Sequence, residues 1–278
     1  MALSAQDASI LLGWYKAMGV DEVIAPAPQD WHADVPASPA VLKPSDGPAP
    51  PSVNPPPAAR RAPLPMPPRA APQTQGASPT VDLMAARELA RSASSLMELR
   101  ALLETFEGCA LKKTASRLCL CRGSLQARVM LIGEAPGKDE DAKGQPFVGR
   151  AGQLLDRMLA AIGLTEADVY ITNLVFWRPP GNRTPSPEEV QVCQPFVERQ
   201  IELLAPQILI FLGNAAAKQL TGATEGIMKL RGKWLTYSGI RAMATLHPAY
   251  LLRNPIAKRL AWRDLLSIRE ALENADGQ

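Results

Sequence analysis

Residues 128–141 read RVMLIGEAPGKDED, an apolar run closed by Gly133 and followed at once by a loop of glycine, proline and charge. A run this short and this evenly apolar suits a parallel strand buried on both faces. Three further stretches repeat the pattern, DVYITN (168–173), QILIFLG (207–213) and RAMATL (241–246). Helical spacing fills the intervals over 151–162, 187–204, 214–221 and 257–272. Pro187 followed by Glu188 and Glu189 makes a good helix start, because proline suits the first turn and carboxylates complement the helix dipole. Strand and helix in alternation predict a three-layer α/β/α fold around a central four-stranded parallel sheet. In such a fold the ligand site lies beyond the carboxyl ends of the strands.

Outward from this core the composition changes. Of the 27 prolines in 278 residues, 17 fall between Pro26 and Pro79. Fixed φ and missing N–H groups at that density exclude a helix or a sheet ladder, so residues 25–80 are expected to be a disordered linker. Residues 1–24 contain a short amphipathic pattern (Ile10, Leu11, Trp14, Tyr15, Met18, Val20) with Ser4 as a candidate N-cap. Two readings stand for this helix: it folds back on the core, or it docks a partner protein at the end of a stiff tether. Residues 81–278 form the expected catalytic domain.

The chain carries 30 basic and 27 acidic residues, a net charge of +3 that permits nucleic-acid binding without demanding it. No run approaches the ~18 uncharged apolar residues of a membrane span, and the N-terminus lacks the basic and small-residue features of a secretory signal. A cytoplasmic protein with reduced thiols is expected, and its four cysteines are too few for a disulfide framework.

Chemistry-bearing residues gather where the fold predicts. The first strand runs into GEAPGKDED (133–141), the second ends on Asn173 and enters a proline-rich loop through Asn182, and the fourth ends on His247 and Pro248. These segments, with GQPFVGRAGQLLD (144–156), VYITNLVFWRPPGNRTPSPEE (169–189), LGNAAAKQLTG (212–222) and HPAYLLRNP (247–255), resemble the family-4 uracil-DNA glycosylases. The likeness runs from Cys109 onward, with five motifs in order.

The resemblance implies hydrolysis of the N-glycosidic bond of uracil in DNA, leaving an abasic site for base excision repair. Uracil must be rotated out of the duplex, read along its Watson–Crick edge, stacked, and made a better leaving group. Asn173 is the candidate reader, since one amide offers the donor and the acceptor that match O4 and N3–H. Phe147 is the candidate stacking platform, and His247 the group that stabilises charge developing on O2. Ala135 stands where the best-known uracil glycosylases carry a water-binding aspartate. That leaves Glu134 or Glu140 to assist water. Asn182 completes the substrate-binding set. Arg150, Arg178, Arg183 and Arg253 are candidates for the phosphate backbone, and Leu251 for a wedge that fills the gap left by the flipped base. Plainer alternatives exist: Asn173 as a turn cap, Phe147 as core, His247 as a turn residue, Glu140 as a solvated loop carboxylate, and Leu251 as the first apolar residue of the next helix.

The family usually holds a [4Fe–4S] cluster on four cysteines. Cys109 and Cys193 match the second and fourth ligand positions, whereas Phe106 and Trp177 stand at the first and third. Cys119 and Cys121 restore the count but fall where the family has apolar residues, so the expectation is no cluster. The expected partners are uracil-containing DNA and a repair protein on the N-terminal helix, with the enzyme itself a monomer. Two rivals remain: a glycosylase for another deaminated base, and a catalytically silent protein that binds lesion or abasic DNA.

Overall fold

The computed structural model describes residues 79–276. The helix expected over 1–24, and the linker as far as residue 78, lie outside the described residues.

Two helices come first, α1 (Pro79–Ser92) and α2 (Leu96–Thr105). Ser95 caps α2 by accepting the Glu98 N–H at 3.1 Å. The strands are β1 (Arg122–Gly123), β2 (Val129–Gly133), β3 (Val169–Asn173), β4 (Ile208–Leu212), β5 (Trp234–Tyr237) and β6 (Ile240–Thr245). Their order in the sheet is β1-β3-β2-β4-β6-β5. The four apolar runs picked out in the sequence are the four central strands, and they pair in parallel. Two antiparallel edges extend the expected four-stranded sheet to six. Strand β5 reaches β6 through Ser238 and Gly239, both at positive φ (48° and 82°), the backbone of a tight hairpin turn.

Every residue of β2, β3 and β4 is buried. Alternate side chains serve opposite faces. Met130 and Ile132 join a core with α1, α2, α5 (Pro187–Leu204) and α6 (Asn214–Thr221). Val129 and Leu131 join a second core with α4 (Arg150–Ala160) and α9 (Lys258–Asp276). The three layers follow from this alternation. The remaining short helices are α3 (Lys138–Lys143), α7 (Ile227–Leu230) and α8 (Pro248–Arg253).

Helix α5 starts where the sequence places it. The Ser186 hydroxyl accepts the Glu189 N–H, while Glu189 accepts the Ser186 N–H at 2.7 Å. The end of β6 is clamped by Asp264 of α9, which is 1% exposed, accepts the Thr245 hydroxyl at 2.6 Å and pairs with Arg231. This fixes the strand two residues before His247.

The chain leaves β2 for one side of the sheet and β4 for the other, so the order reverses between these two strands. A crevice opens at such a reversal, beyond the strand ends.

Candidate active site

A cavity of about 490 Å³ occupies that crevice. Glu134 to Gly137 enter it from the loop after β2, Asn173 from the tip of β3, and His247 from the end of β6. Gly213, just past β4, has φ +91°, and a Cβ there would stand 2.9 Å from the Cβ of His247. Glycine at this position lets the histidine close over the sheet.

Asn173 lies level with Gly133 in the parallel ladder and is 1% exposed. Both its side-chain Oδ1 and Nδ2 are buried without a hydrogen-bond partner. A Cβ on Gly133 would run into Oδ1 and into the Phe147 ring, so the missing side chain is what gives the amide and the aromatic their place. Burying an unpaired amide costs about 1–3 kcal/mol per group, and folded chains seldom tolerate it without a use.

Phe147 adopts φ 55°. Left-handed backbone at a bulky residue costs on the order of 1–3 kcal/mol and tends to persist at functional sites. Its ring centroid is 5.6 Å from that of His247, the planes inclined by 33°. The two rings line the cavity side by side, together with Asn173.

His247 is the N-cap of α8, and its Nδ1 accepts the Ala249 N–H at 3.1 Å. Burial, and then the charge of Arg253, push its pKa down to about 4. The ring is therefore neutral near pH 7. With Nδ1 acting as acceptor, the single proton sits on Nε2. The turn-residue and catalytic readings of His247 are compatible, because the cap sets the tautomer.

The structure separates the two candidate carboxylates. Glu140 accepts three backbone N–H groups, from Gly137 (3.1 Å), Val148 (3.1 Å) and Gly149 (2.9 Å). Glu140 also lines the cavity, and its oxygens tie together the two ends of the loop that carries Phe147, so it is more than a solvated loop carboxylate. Glu140→Ala leaves those N–H groups orphaned, and a loss of ~2–4 kcal/mol is expected. Thermal unfolding should fall by roughly 5–15 °C for a domain of this size. Glu134 remains on the cavity wall.

Ala135, Asn182, Arg183 and Arg253 also line the cavity. Arg178 donates from Nε to the Asn182 side-chain oxygen at 2.7 Å, and so shapes the wall from behind. Arg183 is held by Glu189 through two hydrogen bonds of 2.8 and 2.6 Å, so its charge toward a phosphate is partly neutralised. That pairing also holds the Glu189 carboxyl below the usual carboxylate range. Arg150 lies outside the lining, exposed in the first turn of α4. Leu251 is fully buried in the core beneath α8 and cannot be a wedge.

Two contributors escaped the sequence reading. Tyr250, three residues after His247, lines the cavity and is 37% exposed. Asp141, only 6% exposed, accepts the N–H groups of Ser116 and Arg117 at 2.7 and 3.2 Å and ties the segment before β1 to α3. The i+3 spacing from His247 carries a signal for the first. For the second the sequence offers none.

The cysteines do not fit an iron–sulfur cluster. Cys109 and Cys193 meet at 3.9 Å between sulfurs. That hydrogen bond, and then complete burial, push the Cys193 thiol well above the usual range. Cys119 turns away to donate to the Glu140 carbonyl at 3.2 Å, and burial pushes it up to about 12. Phe106 packs on Phe196 with ring centroids 5.1 Å apart, and Trp177 on Phe176 at 6.1 Å, all within the core that holds the Cys109–Cys193 pair. Among the described residues no three His, Cys, Asp or Glu side chains converge as metal ligands. No helix among them is long and apolar enough to cross a membrane.

Comparison with known proteins bears on this geometry. The profile of the Uracil DNA glycosylase superfamily matches residues 121–266. The type-4 uracil-DNA glycosylase of Saccharolobus solfataricus is 43% identical over 161 residues, covering 55% of this chain and 74% of that protein. That of Thermotoga maritima is 43% identical over 150 residues (52% and 77%), and that of Pyrobaculum aerophilum 39% over 180 residues (61% and 91%). All six strands lie inside the matched span. The chain belongs to the uracil DNA glycosylase superfamily.

Proposed function

We propose that this protein excises uracil from DNA, hydrolysing the bond between N1 of the base and C1′ of the deoxyribose and leaving an abasic site. One observation carries the reading: the Asn173 amide is buried at the edge of an open cavity with both polar atoms unpartnered. Uracil presents O4 as acceptor and N3–H as donor, and a fixed amide satisfies both, with Nδ2 donating to O4 and Oδ1 accepting from N3–H. Cytosine reverses the pattern and would leave two mismatched pairs in a dry site, which is costly. Relatives named type-4 uracil-DNA glycosylases support the same assignment.

Each remaining wall residue has a task. Phe147 stacks the base. His247 donates Nε2–H to O2 as the C1′–N1 electron pair leaves with the ring, so that the uracil anion is met by a donor already in place. Water attacks C1′, its oxygen forming the new bond. Glu134, which lines the cavity with Glu140 but is not tied up by the loop's N–H groups as Glu140 is, receives the released proton and passes it to solvent. Arg253 and the half-neutralised Arg183 hold the strand through its phosphates. A single chain supplies all these groups, which supports action as a monomer.

The direct experiment uses single- and double-stranded oligonucleotides with one uracil, followed by alkaline cleavage at abasic sites. Release of uracil from either is the expected result. Binding to lesion DNA without release would replace this reading with the silent DNA-binding one, and release of another deaminated base alone would redirect the specificity.

The same reading holds that the enzyme works without an iron–sulfur cluster, supported by the aromatic packing of Phe106 and Trp177 at two ligand positions. Chain purified without oxygen after iron-supplemented expression should carry less than about one iron and lack the broad absorbance near ~400 nm. A stoichiometric cluster with its colour would overturn this.

A further inference from the structure

Rotating a nucleotide out of a duplex leaves a gap, and enzymes that do so commonly fill it with an apolar or aromatic side chain. Such a wedge must be exposed, stand on fixed backbone and border the pocket that takes the base. Leu251 meets none of the surface requirements, being fully buried. Large hydrophobic side chains exposed among the described residues are Met84, Met97, Leu125, Met228, Tyr250 and Ile256, and of these only Tyr250 lines the cavity.

Its setting suits the task. Tyr250 follows His247 by three residues, the spacing that brings two side chains to one side of a helix. Its N–H donates to the His247 carbonyl at 2.9 Å, and its carbonyl accepts the Asn254 N–H at 2.9 Å, so the backbone beneath the ring is held. Arg253, three residues further on, borders the same cavity and lies close enough to His247 for its charge to act there. A cation within a turn of an exposed aromatic gives the strand one contact for its phosphate and one for its base stack. A tyrosine ring also pairs an apolar body with a hydroxyl that tolerates the wet rim.

We propose that Tyr250 is the positioning residue that enters the base stack and holds the flipped conformation open. The proposal rests on the uracil-excision reading. A wedge matters only where there is a stack to enter, so duplex and single strand separate it from any role inside the pocket.

The experiment compares full-length wild type, Tyr250→Ala and Tyr250→Phe for kcat/KM on a single-stranded and a duplex uracil oligonucleotide. A 2-aminopurine beside the uracil reports unstacking on binding. Tyr250→Ala should lose about tenfold or more on the duplex relative to the single strand, together with the fluorescence rise on the duplex. Tyr250→Phe should restore both. Equal losses on the two substrates, no loss on either, or an unchanged fluorescence rise in Tyr250→Ala would overturn the proposal. If the wild type releases no uracil from either substrate, the excision reading fails, and the fluorescence rise alone decides whether Tyr250 enters the stack. Leu251→Ala supplies the contrast, opening a cavity in the core and lowering the melting temperature.

Discussion

Asn173→Ala should lower uracil excision by about a thousandfold while leaving the melting temperature unchanged or higher. The two effects have one cause. In the folded chain the Asn173 Oδ1 and Nδ2 are buried and unsatisfied, so their desolvation is a standing cost to stability. The amide recovers that cost only when a base edge supplies the donor and the acceptor. Removing it relieves the free protein and strips the complex of two hydrogen bonds formed in a water-poor pocket, where a mismatch in such bonds reaches on the order of 10⁴–10⁵ in specificity. Single-turnover kinetics on a uracil oligonucleotide, paired with calorimetry on the same preparation, measure both. A structural asparagine would behave the opposite way, with a fall in melting temperature and activity to match.

His247→Ala should lower kcat by roughly 10²–10³, the effect of removing one donor aimed at a developing anion. The pH profile gives a second handle. Because burial and Arg253 hold the histidine down at about 4, the neutral Nε2–H form persists across the physiological range. Excision limited by this group should be flat from pH 8 down to about 5 and decline only as pH approaches 4. Protonating Nδ1 would set two donors against each other, the ring N–H and the Ala249 N–H that now bonds to it. Stability follows the same sign. The unfolded chain binds a proton at an ordinary histidine pKa near 6.5 and the native ring does not, so this contribution is complete above pH 6.5 and erodes as pH falls from there toward 4. A decline in kcat centred near 6.5 would mean that the ring is solvated and free of its cap.

The sequence discloses the centre of the sheet better than its margins. Strands β2, β3 and β4 are wholly buried, and burial on two faces writes itself as an unbroken apolar run. Strand β1 is two half-buried residues at an antiparallel edge, too short to leave a pattern. The candidate site divides in the same way. Asn173 and His247 sit at strand ends, where topology alone forecasts chemistry. Leu251 and Tyr250 follow His247 by four and three residues, and both spacings return to one side of a helix, so periodicity cannot say which one turns inward. The core that includes Leu154 and Trp262 decides it, by taking Leu251. Glu140 misleads for another reason: two of its partners lie eight and nine residues ahead, beyond the reach of any local pattern. The two cysteines at family ligand positions, Cys109 and Cys193, are 84 residues apart in the chain, and only the fold brings their sulfurs within 3.9 Å.

Three N–H groups on one carboxylate also set how this part of the molecule comes apart. Gly137 and the Val148–Gly149 pair flank the loop between the end of β2 and the start of α4, and Glu140 closes that loop on itself. Neither end can open without releasing the same acceptor. Amide protons at 137, 148 and 149 should therefore exchange with solvent deuterium at a common rate, as one cooperative unit, and speed up together in Glu140→Ala. Phe147 sits inside that unit. The stacking wall is therefore expected to open and close with that loop rather than independently of it.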